Sequence, residues 1–166
     1  MTATSLAALH ARAMTITAPW CEQDFTDLLE TPGTFLTPWP SPFFKYANGG
    51  ARGGETPSHS TAETAQSLQG FALGRIILDE AELLTLAVDP SHQRQGLGKA
   101  LLAGFEAEAI ARAARTAFLE VAATNTAARA LYKQAGWVET GRRPDYYAAT
   151  PARIDAILMT RALASA

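Results

Sequence analysis

An apolar run, Leu83-Leu84-Thr85-Leu86-Ala87-Val88, ends at Asp89-Pro90. It is followed by Gln93-Arg94-Gln95-Gly96-Leu97-Gly98-Lys99, which opens directly into the stretch beginning Ala100-Leu101-Leu102. The run reads as a buried strand and the stretch as a helix, so a strand, a glycine-punctuated turn and a helix follow without a break. That succession confines the chain to α/β architectures. It also aims several backbone N–H groups at one point, at the positive end of a helix dipole, which makes an anion site. Two glycines let the main chain approach a ligand with no Cβ in the way. A diphosphate is the natural guest, and a plain tight turn is the bland alternative for Gly-x-Gly alone.

The spacing excludes two common phosphate loops. A Walker loop needs four residues between its glycines and then Lys-Ser/Thr, and the dinucleotide fingerprint needs a third glycine where this chain has Leu101. At 166 residues the chain is expected to be one domain, 1–166, able to bury a core without staples. A net charge of −2 argues against a surface built to neutralise nucleic-acid phosphates. The single cysteine, Cys21, rules out an internal disulfide, which fits a reducing cytoplasm. No apolar run has the length of a membrane span, and the N-terminus has no basic region leading into an apolar one.

Along the chain, Ser5 to Arg12 and Glu22 to Leu29 read as short helices, the second with Phe25, Leu28 and Leu29 inward and Pro32-Gly33 stopping it. Thr34 to Thr37 reads as a short strand. From Pro38 to Gln66, Pro38, Pro40 and Pro42, then four glycines and a Ser/Thr-rich tail, predict a long flexible loop, 38–66. Ser67 to Leu78 and Glu82 to Val88 predict an antiparallel hairpin about Asp79-Glu80. Leu97, Leu101, Phe105 and Ala109 recur at four-residue spacing, so a helix is expected over Gly98 to Ala114. Ala117 to Ala122 is the next strand, and strand–helix–strand implies a parallel pair. Asn125 is placed to cap a helix over Thr126 to Ala135 that Gly136 ends. Trp137 to Thr140 and Ile154 to Thr160 complete the pattern, joined by a loop carrying Arg142-Arg143-Pro144-Asp145-Tyr146-Tyr147.

Glu120 is the chemically conspicuous residue. It sits in Phe118-Leu119-Glu120-Val121-Ala122, and strand alternation puts it on one face with Phe118 and Ala122. A glutamate there either pairs with a cation or faces a cleft, where it is suited to general-base work. Asn125, Ala128 and Tyr132 share a helix face. Tyr132 alone is most simply core, and Asn125 alone most simply a cap. His10, His59 and His92 have no ligand spacing, so no metal site is expected. Cys21 follows Pro19-Trp20 with no base nearby and reads as inert. Arg112, Arg115 and Arg129 read as solvated helix positions. No Gly-x-Ser-x-Gly elbow occurs.

Gln93-Arg94-Gln95-Gly96-Leu97-Gly98 after such a strand is similar to the acetyl-CoA loop of the GNAT N-acetyltransferases. Taken with Leu86-Ala87-Val88, Leu119-Glu120-Val121, Asn125, Ala130-Leu131-Tyr132, Gly136-Trp137 and Arg142 to Tyr147, the chain resembles the RimI branch of that superfamily, the ribosomal-protein-alanine N-acetyltransferases. The resemblance runs collinearly from about Gly70 to Met159. It implies a mixed, mostly antiparallel sheet with a splayed parallel strand pair and helices on both faces. It implies Glu120 as proton acceptor and Tyr132 as proton donor. Acetyl-CoA would be met by the backbone of Leu86, Ala87 and Val88, by Arg94, Gln95, Gly96, Leu97, Gly98 and Lys99, and by Asn125. Arg143, Tyr146 and Tyr147 would shape a groove for the acceptor, a protein or peptide N-terminus, ending in alanine and belonging to a ribosomal protein. Two departures bear on the acceptor: the N-terminal part is short, leaving the usual first strand missing or displaced, and the 38–66 loop is long. The rival readings are an acetyltransferase for lysine or a small amine, a non-catalytic acyl-CoA-binding module and a nucleotide-binding module.

Overall fold

The computed structural model describes residues 1–40, 68–149 and 152–163. Most of the expected loop, with Phe43, Phe44 and Tyr46, therefore lies outside the described residues. Its first residues do not: Pro38 and Trp39 belong to a strand, β1 (Thr34–Trp39), preceded by helices α1 (Ala3–Ala13) and α2 (Glu22–Glu30). Pro38 is tolerated because β1 is an edge strand. Then come β2 (Gly70–Ile77), β3 (Glu80–Val88), α3 (Leu97–Ala111), β4 (Thr116–Ala122), α4 (Thr126–Gln134), β5 (Val138–Tyr147) and β6 (Ile154–Ala162). The sheet order is β1-β2-β3-β4-β6-β5. β3 and β4 run parallel and the other neighbours antiparallel.

Among the described residues no strand precedes α1; the chain's first strand, β1, follows the two helices and forms the sheet edge. Leu29, expected inward, is 40% exposed; Phe25 is fully buried and anchors α2. The residues Arg142 to Tyr147, expected as a loop, are part of β5. They bulge from it, because Arg143 lies opposite Ala156 and Tyr147 opposite Ile154, so four steps on β5 match two on β6. Asp145 takes a positive φ of 50° within this bulge, and Asp155 secures it by accepting from the Asp145 N–H at 2.9 Å and pairing with Arg142 at 2.6 Å. Arg129 is not simply solvated: it donates to the Ala123 carbonyl and to Glu139, tying the start of α4 to β5. Arg115 lies between α3 and β4, not on a helix.

Apolar spacing sorts the helices onto two faces. On one, Leu97, Leu101, Leu102, Phe105 and Ala109 of α3 and Tyr132 of α4 pack on Ala81, Leu83, Ala117, Leu119 and Val121. On the other, Leu6, Leu9 and Phe25 of α1 and α2 pack on Phe71, Leu73 and Ala87. β3 contributes to both faces out of simple alternation. Gly74 pairs with Leu83 but Leu73 pairs with Thr85, so Leu84 is an extra residue, a β-bulge. Before it Ala81 and Leu83 face α3; after it Leu86 and Val88 do.

That bulge sits where the sheet opens. The parallel pairing of β3 with β4 runs from Glu80–Thr116 to Leu83–Leu119 and stops. β3 goes on pairing β2 through Val88, and β4 goes on pairing β6 through Ala122. The two strands part, and a cleft opens between their C-terminal ends.

Candidate active site

The cleft holds two adjoining cavities. The first, about 450 Å³, is walled by β3 from Glu82 to Leu86 and by β4 from Leu119 to Ala122, with Tyr132, Tyr146 and Tyr147 also facing it. The second, about 510 Å³, reaches the glycine loop at Gln93, Arg94 and Gly98 and the start of α4. Leu86, Asn125 and Ala128 line both. A ligand on the glycine loop can therefore extend to Glu120.

Local rules build the loop. Asp89 caps the turn Pro90–His92, accepting from the N–H and hydroxyl of Ser91. These bonds and the Arg12 guanidinium at 2.8 Å hold its carboxyl well below the usual carboxylate range. Arg94 and Gly96 then take positive φ, 60° and 82°. Gly96 becomes the N-cap of α3 with no side chain to bond the helix, and no acidic residue occupies the first turn. The intrahelical ladder starts at Ala100 N–H to Gly96 O. The N–H groups of Leu97, Gly98 and Lys99 thus face outward at a helix N-terminus, as a diphosphate requires. A Cβ on Gly98 would stand 3.3 Å from Leu131 Cδ2. Leu86, Val88, Arg94, Gly98 and Asn125 line the second cavity. Ala87 and Leu97 turn their side chains into the two cores, which leaves their main chain for contact. Gln95 bonds the Ser91 carbonyl, and Lys99 is exposed.

Glu120 satisfies both readings open to it. It lines the first cavity, and its Oε1 meets Arg143 Nε at 2.6 Å, with side-chain exposures of 22% and 58%. Tyr146 reaches the same carboxylate from the β5 bulge; that hydrogen bond is the main reason its hydroxyl is held above the ordinary tyrosine range. Tyr147 meets Tyr146 edge-on at 5.0 Å, and burial pushes its hydroxyl up to about 12. Tyr132 is 8% exposed, and burial lifts its hydroxyl far above the ordinary range, so it stays protonated. Asn125 caps α4, its Oδ1 accepting from the Ala128 N–H at 3.1 Å, and so points Tyr132 at the cleft from the helix's last turns.

Part of the wall went unseen in sequence. His10, Met14, Thr17, Ala18 and Trp20 line the first cavity with Glu82 and Thr85. His10 carried no ligand spacing, and Pro19-Trp20 carried no periodicity, so nothing local announced them. Among the described residues no cluster of His, Cys, Asp or Glu could hold a metal ion.

Comparison with known proteins bears on the same residues. The chain is 48% identical over 92 residues to the ribosomal protein bS18-alanine N-acetyltransferase of Escherichia coli K12, a match spanning 55% of this chain and 62% of that protein. The enzyme of that name from Haemophilus ducreyi is 38% identical over 128 residues, 76% of this chain and 84% of its own length. The crystal structure of the ribosomal-protein-S18-alanine N-acetyltransferase from E. coli superposes with a TM-score of 0.74 at 32% identity, covering 99% of this chain and 89% of that one. The model of the acetyltransferase (GNAT) family matches residues 20–137, the segment that carries the glycine loop, Glu120 and Tyr132. The chain belongs to the acetyltransferase (GNAT) family.

Proposed function

We propose that the protein transfers an acetyl group from acetyl-CoA to the α-amine of a protein N-terminus, an N-terminal alanine of a small-subunit ribosomal protein in the cytoplasm. The observation that carries this reading is the continuity of the cleft. One cavity presents Glu120 and Tyr132, and the other presents the uncapped start of α3, with Leu86, Asn125 and Ala128 common to both. The similarity to ribosomal-protein-alanine N-acetyltransferases supports the acceptor.

Proton accounting assigns the roles. An α-amine has a pKa of roughly 8 and is mostly protonated at neutral pH. Glu120 takes that proton, directly or through water, as the acceptor's ammonium displaces the exposed Arg143 guanidinium from its carboxylate. The thioester oxygen gains charge, and backbone N–H groups of the strand bearing Val88 stabilise it. Tyr132, protonated and buried, donates a hydrogen bond to the departing coenzyme A sulfur, and burial makes its phenolate costly until that sulfur demands the proton. No nucleophile on the protein takes part. Arg94 to Lys99 hold the diphosphate.

The deciding assay is thiol release from acetyl-CoA with two peptides. One begins with a free alanine; the other has a blocked N-terminus and a free lysine. Lysine, near 10.4, holds its proton about 3 kcal/mol more tightly than an α-amine, a difference the base must supply. The alanine peptide should react faster; equal or faster acetylation of the lysine peptide replaces the N-terminal acceptor with a side-chain amine. Mass spectrometry of ribosomal-protein N-termini with and without the protein then identifies the target.

A further inference from the structure

His10 is a buried titratable group beside the cleft that neither the proton transfers nor the glycine loop uses. It is 3% exposed and is the one buried polar or charged side chain among the described residues. Both ring nitrogens are committed. The Trp20 backbone N–H donates to Nδ1 at 3.0 Å, so in the neutral ring the proton is on Nε2, which faces Thr85 Oγ1 at 3.2 Å. The ring stacks on the Trp20 indole with centroids 5.2 Å apart and meets Phe25 edge-on at 5.4 Å.

Its two partners belong to different walls of the 450 Å³ cavity. Trp20 lies near the end of the irregular connection between α1 and α2, and Thr85 adjoins the bulge where β3 leaves β4. Across residues 15–20 the imidazole makes the sole hydrogen bond to this connection's backbone among the described residues. The far end of the connection, which also lines the second cavity, is held without the ring. Met14 N–H bonds the His10 carbonyl, and Arg12 pairs with Asp89. We infer that His10 is a positioning residue: it clamps the α1–α2 connection to β3, holds the acceptor wall of the cleft in place, and so sets how tightly the amine substrate binds. This rests on reading that cavity as the acceptor site.

Two variants and one substrate-free measurement test it. His10→Phe keeps a ring of similar size against Trp20 and Phe25 and removes both hydrogen bonds; Thr85→Val removes one. For His10→Phe the peptide KM should rise roughly three- to tenfold while kcat and the acetyl-CoA Kd stay within about twofold. Thr85→Val should give a smaller rise, and the double variant no more than His10→Phe alone. His10→Asn, whose Oδ1 can accept from Trp20 as Nδ1 does, should recover part of the affinity. An unchanged peptide KM, or equal losses of peptide and acetyl-CoA binding, overturns the inference. Hydrogen exchange of the Trp20 amide needs no acceptor: slow exchange in the wild type and fast exchange in His10→Phe supports the clamp. Equal rates overturn it. Should the clamp stand and the wild type acetylate no peptide, the fault lies with the proposed function alone.

Discussion

Glu120 and Tyr132 differ in what surrounds them, and that difference makes their roles separable by single substitutions. Glu120 is tied to an exposed guanidinium and an exposed tyrosine, both of which can move aside for substrate. Glu120→Gln keeps the shape and cannot take a proton, so turnover should fall about 10²- to 10⁴-fold with acetyl-CoA affinity and fold unchanged. Turnover within about twofold of wild type would make the residue a structural partner of Arg143. Tyr132 is packed beside Trp137, with ring centroids 6.0 Å apart, and its hydroxyl is the part that can act. Tyr132→Phe should lower kcat and leave the acetyl-CoA Kd in place, because the sulfur develops charge only late in the reaction; a raised Kd with kcat intact would make it a binding residue. Tyr132 read most simply as core, its role implied by the resemblance alone, whereas Glu120, an acid in an apolar strand, was readable in sequence. Arg143 as the partner of Glu120 was not, since the pairing depends on a bulge in β5 opposite β6.

The elements around the cleft follow from local chemistry more directly than the cleft does. Apolar spacing in α3 and capping by Asn125 are written in the chain and recur in the structure. Asn125→Ala should cost about 1 kcal/mol, read as a shift of the urea midpoint, because the Ala128 N–H loses its partner. Gly98→Glu should abolish acetyl-CoA binding in a protein that still folds. The backbone there is compatible with a side chain and Leu131 Cδ2 can yield, whereas a carboxylate would stand where the diphosphate belongs. Unchanged affinity in the folded variant would remove the loop from the cofactor site. The Leu84 bulge had no sequence signal. Leu83-Leu84-Thr85-Leu86 reads as an unbroken strand, and only the pairing with β2 shows the extra residue.

For the whole molecule, the stacking of α1 and α2 over β2 and β3 makes stability depend on pH through His10. Burial lowers its pKa from 6.5 to about 4, against the opposing pull of the Asp24 carboxylate. The unfolded chain binds this proton at higher pH than the folded one, so stability is full above about pH 6.5 and declines as pH falls towards 4, by up to about 3 kcal/mol. Denaturant melts between pH 7 and 4 should show this slope, and His10→Phe should flatten it. Asp89 acts in the same direction at lower pH. Its carboxyl is held below the ordinary 3.8, so its contribution is present above that value and is lost only as strongly acid solution protonates it.

Periodicity, caps and glycines are short-range properties, and they mark the helices, the strands, the glycine turn and the odd carboxylate of Glu120 before any fold is known; its pairing with Tyr132 was implied by the resemblance. The resemblance of a few collinear segments was enough to anticipate the sheet with its parallel pair. Where β3 stops pairing β4, how Leu84 shifts the faces of β3, and how the bulge of β5 between Arg143 and Tyr147 brings Arg143 and Tyr146 to Glu120 all depend on hydrogen-bond registers between residues far apart in the chain. The wall made by His10 and Trp20 is of the same kind. Its residues carry no pattern of their own, and they meet Thr85 only because two helices pack their apolar faces on one side of the sheet.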